Sequence, residues 1–260
     1  MDVAYAWRRF ALAAIAAALP AAAPAEQRVT FPSIGASSEA RNIAGYLTKP
    51  SGSGPFPAVA LLHSCLGLPV NRRAIGETIA GWGYVALFVD DFSTRGLKQT
   101  CTVDFPEASA DAYGALAFLA KRSDVDPARI AAVGFSQGAD TALAIAAGDE
   151  AAGDARFRAA AAFYPPCANR AGASLHIPTL IVVGAKDEVT PAADCEALAK
   201  AQPPAAAVSL VVLPGAAHGF DMPDFAGGKR VLGMWLAYDR DASRRALNEL
   251  RKFLASALGR

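Results

Sequence analysis

The chain has 260 residues, 53% of them hydrophobic, and its 25 Lys and Arg against 24 Asp and Glu leave a formal charge of +1. That balance offers none of the basic excess by which a nucleic-acid-binding face announces itself. The length suits one α/β domain with a large core, and no internal repeat or linker divides it.

The N-terminus opens with Arg8 and Arg9, followed by the apolar run "FALAAIAAALPAAAPA" from Phe10 to Ala25. Ala23-Pro24-Ala25 fits a small-x-small cleavage pattern, so residues 1–25 are expected to be a signal peptide and 26–260 the mature domain. The run is short and broken by Pro20 and Pro24, which argues against a retained membrane anchor. A periplasmic or secreted destination follows.

Beyond the leader, "TFPSIG" and "RNIAGYLTK" read as antiparallel edge strands. "AVALLH" (Ala58–His63) is a buried strand and "RRAIGETIAGWG" an amphipathic helix ending at glycine. Strand "YVALFVDD" (Tyr84–Asp91), helix "EASADAYGALAFLAKR", strand "IAAVGF" (Ile130–Phe135) and helix "GADTALAIAAG" come next. "AAAAFYP" (Ala159–Pro165), "TLIVVGAKD" (Thr179–Asp187), helix "PAADCEALAKAQ" and "AVSLVVLPG" (Ala207–Gly215) continue the alternation. The amphipathic helix "DASRRALNELRKFLASAL" closes the chain. Unbroken apolar runs mark strands covered on both faces, and helices between them supply crossovers, so the expected fold is a mostly parallel sheet in an α/β layer architecture.

Sites in such sheets form beyond the carboxyl ends of the strands. Ser136 stands there, in Gly134-Phe135-Ser136-Gln137-Gly138, between a strand and a helix. This is the setting of a nucleophile elbow, whose tight turn leaves no room for side chains at the two glycines. A serine needs a base to take its proton. Of three histidines, His218 alone follows a strand downstream of Ser136; His63 ends an earlier strand, and His176 lies at the entry side of its own. Asp187 falls between Ser136 and His218 in the chain, which gives the order Ser…Asp…His. Asp194 is the alternative acid but sits within the next helix. The backbone N–H groups of Gln137 and Cys65 are the expected oxyanion donors.

Four cysteines, Cys65, Cys101, Cys167 and Cys195, allow three pairings. Cys65–Cys101 and Cys167–Cys195 are preferred, because each joins loops at neighbouring strand ends. No Cys-x-x-Cys or His-x-x-x-His spacing suggests a metal, and no cofactor is expected.

"FPAVALLHSCLGL", "VALFVDDFSTRG", "VGFSQGA", "VVGAKDEVTP" and "GAAHGFD" together resemble the dienelactone hydrolase family, over nearly the whole mature chain. The resemblance implies the α/β-hydrolase fold without a large lid, and hydrolysis of an ester or lactone through a covalent acyl-enzyme. Three positions depart from the family pattern. Its nucleophile is a cysteine where this chain has Ser136, a glutamate stands at the position of Ser64, and a second substrate-binding arginine stands near Met222. Arg95 matches the first such arginine and is expected either to bind substrate or to pair with Asp90 or Asp91. Phe220, with Phe92 and Trp235, is expected either to line the acyl or alcohol pocket or, as is commoner for such aromatics, to pack in the core. The resulting expectation is an exported serine esterase acting on a small-molecule ester or lactone. An amide hydrolase or a silent binding protein on the same fold are the competing readings.

Overall fold

A computed structural model describes residues 25–34, 41–103, 105, 108–148 and 155–259, so nearly all of the expected leader lies outside the described residues. The frame is an eight-stranded sheet in the order β1-β2-β4-β3-β5-β6-β7-β8. Strands β1 (Gln27–Pro32) and β2 (Asn42–Thr48) are the antiparallel pair at one edge. Strands β3 (Phe56–Leu62), β4 (Val85–Asp90), β5 (Val125–Phe135), β6 (Ala159–Phe163), β7 (Thr179–Gly184) and β8 (Val208–Leu213) run parallel.

Side chains alternate between two cores, as the two-residue period of a strand requires. On β3, Val59 and Leu61 face one layer, and Ala58, Ala60 and Leu62 the other. The first layer is covered by α1 (Arg72–Gly81) and by α5 (Arg240–Leu258). Helix α5 supplies Ala242, Ala246, Leu250, Leu254 and Leu258, a four-residue spacing that lays one apolar stripe on the sheet. Asp239 caps it by accepting hydrogen bonds from the N–H groups of Asp241 and Ala242. The opposite face carries α2 (Ala108–Ala120), α3 (Gln137–Ala147) and α4 (Ala192–Ala201).

Alanine is what brings α3 close. Ala160 and Ala162 of β6 meet Ala139, Ala142 and Ala146 of the helix. Small residues on both surfaces let the helix axis approach the sheet, and the approach fixes where the first turn of α3 points. Strand β5 begins earlier than its apolar core suggests. Its pairing jumps from Phe56–Val125 to Ala58–Ile130, so residues 126–129, including Pro127, bulge out of the ladder.

One element escapes the sequence reading. Strands β9 (Lys229–Val231) and β10 (Met234–Leu236) form an antiparallel hairpin after the loop of His218. Leu232 and Gly233 turn it with φ of 49° and 84°, the doubly positive backbone of a two-residue hairpin. The signal was available in "KRVLGMWL", but a three-residue strand carries little periodicity.

The strand order reverses at β3: the chain moves outward to β4 on one side and then to β5 on the other. A crevice opens at the carboxyl ends beside such a switch point. Ser136 follows β5 at that place.

Candidate active site

Ser136 links β5 to α3 with φ 53° and ψ −112°, a conformation costly for any residue with a Cβ. The flanking glycines make the turn sterically feasible. A Cβ on Gly134 would run into the carbonyl of Gly138, and one on Gly138 into the carbonyls of Leu62 and His63. The turn is pinned by the Ser136 N–H donating to the Phe163 carbonyl at 3.0 Å.

His218 lies on the loop after β8. Its Nε2 is 3.0 Å from Ser136 Oγ and its Nδ1 is 2.8 Å from Asp187 Oδ2. Asp187 follows β7 and is held by the N–H groups of Val189 (2.9 Å) and Thr190 (2.8 Å), both donating to Oδ1. The Thr190 hydroxyl lies 3.0 Å from Oδ2 and 3.2 Å from the Tyr164 carbonyl oxygen. An acceptor-only carboxylate at Nδ1 places the imidazole proton on that nitrogen and leaves the Nε2 lone pair for the serine hydroxyl. All three side chains that the sequence nominated are thus brought together. His218 and Asp187 are buried, while Ser136 lines an open cleft.

Cys65 and Gln137 line that same cleft, and among the described residues neither N–H donates a hydrogen bond. Gln137 opens α3, where the first N–H groups lack intrahelical partners and the helix dipole favours negative charge. The loop of residues 100–101 ties Cys65 to Gln137. The Cys65–Cys101 disulfide holds the loop after β3 to the loop after β4, the Thr100 N–H donates to the Cys65 carbonyl (2.9 Å), and the Thr100 hydroxyl donates to Gln137 Oε1 (2.7 Å). The second disulfide, Cys167–Cys195, ties the turn after β6 to α4. Both preferred pairings are the ones present.

The substrate-binding reading fails for two residues. Phe220 does not line a pocket: it is fully buried, packed on Phe163 and Tyr164 in the core beneath the histidine loop. Arg95 does not face the cleft as a free cation, and the carboxylate it grips is Asp111 rather than Asp90 or Asp91, although its charge also acts on Asp91. Its guanidinium grips both oxygens of Asp111 (2.6 and 3.0 Å) and donates to the Asp91 carbonyl oxygen at 2.6 Å. Asp111 is wholly buried, and an unpaired charge there would be costly, so the arginine is structural in this arrangement. Burial, then the nearby Asp111 charge, hold Asp91 well above the usual carboxylate range.

Sequence reasoning also missed Tyr164 and Asp221. Tyr164 takes the left-handed region at φ 43° and sets its ring edge-on to His218, with centroids 4.7 Å apart. Its hydroxyl donates to Asp221 Oδ1 at 2.7 Å. Desolvation pushes Asp221 up to about 6, against the hydrogen bond from Tyr164 and the neighbouring His218. Burial lowers the affinity of His63 for a proton; its Nδ1 sits 2.8 Å from the Ser64 carbonyl oxygen, which orders the loop. Among the described residues no three His, Cys, Asp or Glu side chains converge as a metal site.

The sequence pattern of the Dienelactone hydrolase family matches residues 43–258. The chain belongs to this family. Membership makes this dienelactone hydrolase relative a hydrolase acting on esters. An uncharacterized protein of Mycobacterium tuberculosis is 29% identical over 227 residues, covering 80% of this chain and 75% of that one. Among solved structures, a dienelactone hydrolase-like promiscuous phosphotriesterase from metagenomic libraries superposes with a TM-score of 0.69 at 20% identity, over 90% of this chain and 100% of that one. Dienelactone hydrolase from Anabaena variabilis gives 0.65 at 21% identity, over 91% and 99%. At these identities the likeness establishes the α/β-hydrolase fold.

Proposed function

We propose that this family member is a serine hydrolase of carboxylic esters or lactones that works through an acyl-enzyme on Ser136. The observation that carries the reading is the relay from Ser136 Oγ through His218 to Asp187, with contacts of 3.0 and 2.8 Å, on a backbone strained at the serine.

In this reading Ser136 Oγ attacks the carbonyl carbon as His218 Nε2 takes its proton. The carbonyl oxygen becomes an oxyanion, met by the N–H groups of Gln137 and Cys65. The C–O bond to the alcohol breaks, and the imidazolium returns the proton to the departing oxygen. Water then attacks the acyl-enzyme with His218 again as base, releasing the acid and free serine. Asp187 keeps the imidazole in the required tautomer and faces the positive charge that forms on it.

The two disulfides support a second part of the proposal, that the chain works outside the reducing cytoplasm after loss of residues 1–25 as a single domain of 26–260. No helix among the described residues is long and apolar enough to cross a membrane.

The test is steady-state turnover of p-nitrophenyl acetate and the matching p-nitroanilide by wild type and Ser136→Ala. Ester turnover that falls by about 10³-fold or more in the variant agrees with the reading. Anilide turnover at an equal rate favours an amide hydrolase, and unchanged ester turnover in the variant removes Ser136 from the mechanism.

A further inference from the structure

The space around Ser136 is divided very unequally. On one side is a small apolar pocket walled by Leu66, Tyr164, Met222, Met234 and Leu236, with a free volume of about 10 Å³. A space of that size holds about one water-sized group. On the other side an open cleft of about 400 Å³ runs past Thr100, Gln137, Asn169 and Thr190. Met234, on the hairpin, stands at the border of both.

An ester carbonyl has two substituents, and only one fits each side. The alcohol must leave after the first step, while the acyl group stays covalently held. The open cleft offers a leaving group an exit, and the amide groups of Asn169 and Gln137 suit a polar molecule, the Thr100 and Thr190 hydroxyls being engaged with Gln137 and Asp187. The closed pocket suits a group that remains, and its aliphatic walls suit one without polar atoms. We infer that this site is built for esters of a very small acyl group, acetyl above all, with a bulky polar alcohol such as a polyol or sugar. The inference rests on the serine-hydrolase reading and names the substrate class for it.

The small pocket has a definable back wall. A second cavity of about 10 Å³ lies behind it, reaching Pro69, Ile75 and Phe135, and the two share Ser64, Tyr164 and Met222. Tyr164 is fixed by its hydrogen bond to Asp221. Met222 is the flexible member of the partition, an unbranched thioether beside Gly219. Shortening it joins the two cavities and lengthens the acyl chain that fits.

The experiment measures kcat/KM along two series. The first is p-nitrophenyl acetate, butyrate, hexanoate and octanoate with wild type, Ser136→Ala and Met222→Ala. The second fixes the acetyl group and compares ethyl acetate, glyceryl triacetate and peracetylated glucose, with methyl octanoate as the inverse case. In wild type, activity is expected to fall about tenfold or more from acetate to butyrate and further with each lengthening, because a pocket discriminates added methylenes by about 10- to 200-fold. Met222→Ala is expected to raise the butyrate-to-acetate ratio about tenfold. Within the acetyl series, the larger polar esters should exceed ethyl acetate. A flat or rising acyl-length profile in wild type overturns the inference, and so does a preference for methyl octanoate over the acetylated polyols. The wild-type series decides even if Met222→Ala folds poorly. Turnover that persists in Ser136→Ala instead sinks the serine-hydrolase reading itself, so the two failures are distinguishable.

Discussion

Two buried acid–base assemblies sit at the carboxyl edge of the sheet, one beyond β7 and β8 and the other beyond β4, and they have opposite characters. One is Asp187 with His218; the other is Asp111 with Arg95, flanked by Asp91. Both hold an aspartate that is nearly or wholly inaccessible. In the first, the base keeps one nitrogen for the carboxylate and turns the other toward Ser136 at the cleft. In the second, the cation spends both terminal nitrogens on Asp111 and one also on the backbone of Asp91. The first assembly has an open end facing the Ser136 hydroxyl; the second is closed on itself. Position after a strand therefore nominates a polar residue, and the direction of its free valence decides what it does.

Breaking the first assembly should have the largest effect. Asp187→Asn presents an amide where the imidazole N–H now donates, which favours the tautomer with its proton on Nε2. That nitrogen then cannot accept the serine proton. Ester turnover is expected to fall about 10⁴-fold with little change in fold, read by kcat on p-nitrophenyl acetate and by circular dichroism. A loss below tenfold would place the orienting acid elsewhere.

Breaking the second assembly should do the reverse. Arg95→Met leaves Asp111 as an uncompensated buried charge, so stability is expected to drop by about 3–5 kcal/mol in a denaturant titration. Activity of the folded fraction should stay within about twofold, because the guanidinium is spent on the structural pair. A variant of normal stability with greatly raised KM would return Arg95 to substrate binding.

Asp221 sharpens the contrast, since it is close to His218 yet bonded to Tyr164. Its carboxyl titrates at about 6 in the fold, above the ordinary value of 3.8. A carboxyl raised on folding favours the folded state while protonated in both states. Its contribution is therefore greatest below about pH 4, declines as the pH rises toward about 6, and is flat beyond. Asp221→Asn keeps an acceptor for the Tyr164 hydroxyl and removes the titration. The stability difference between pH 4.5 and pH 7 is expected to be less unfavourable to the neutral-pH fold in the variant than in wild type. Parallel pH profiles for the two proteins would show that Asp221 does not titrate in this window.

The contrast also separates what the chain's letters reveal from what they hide. The cores of strands β3 to β7 were legible because a doubly covered strand must be apolar, as in "AVALLH" and "TLIVVG", and the half-exposed edge strand β8 because "AVSLVVL" is almost as apolar. Ser136, Asp187 and His218 were legible because a nucleophile elbow needs two glycines and the remaining members follow later strands in order. The hairpin β9–β10 was not, since three-residue strands repeat too few times to show a period. Arg95 and Phe220 were misplaced for a common reason. Each lies in the right segment, but sequence gives neither the direction of a side chain nor the depth at which it ends. Phe220, two residues past His218, turns inward onto Phe163, while Met222 faces the site. Tyr164 needed both its positive φ and its ring contact with His218 to be noticed.

Covalent capture tests most directly whether Ser136 is the nucleophile. Folded protein is treated with a fluorophosphonate, its intact mass is recorded, and the modified residue is located by peptide fragmentation. One adduct per chain is expected, on Ser136, with slower labelling in Asp187→Asn and none in Ser136→Ala. Unlabelled wild type, or an adduct on any residue other than Ser136, would contradict that assignment.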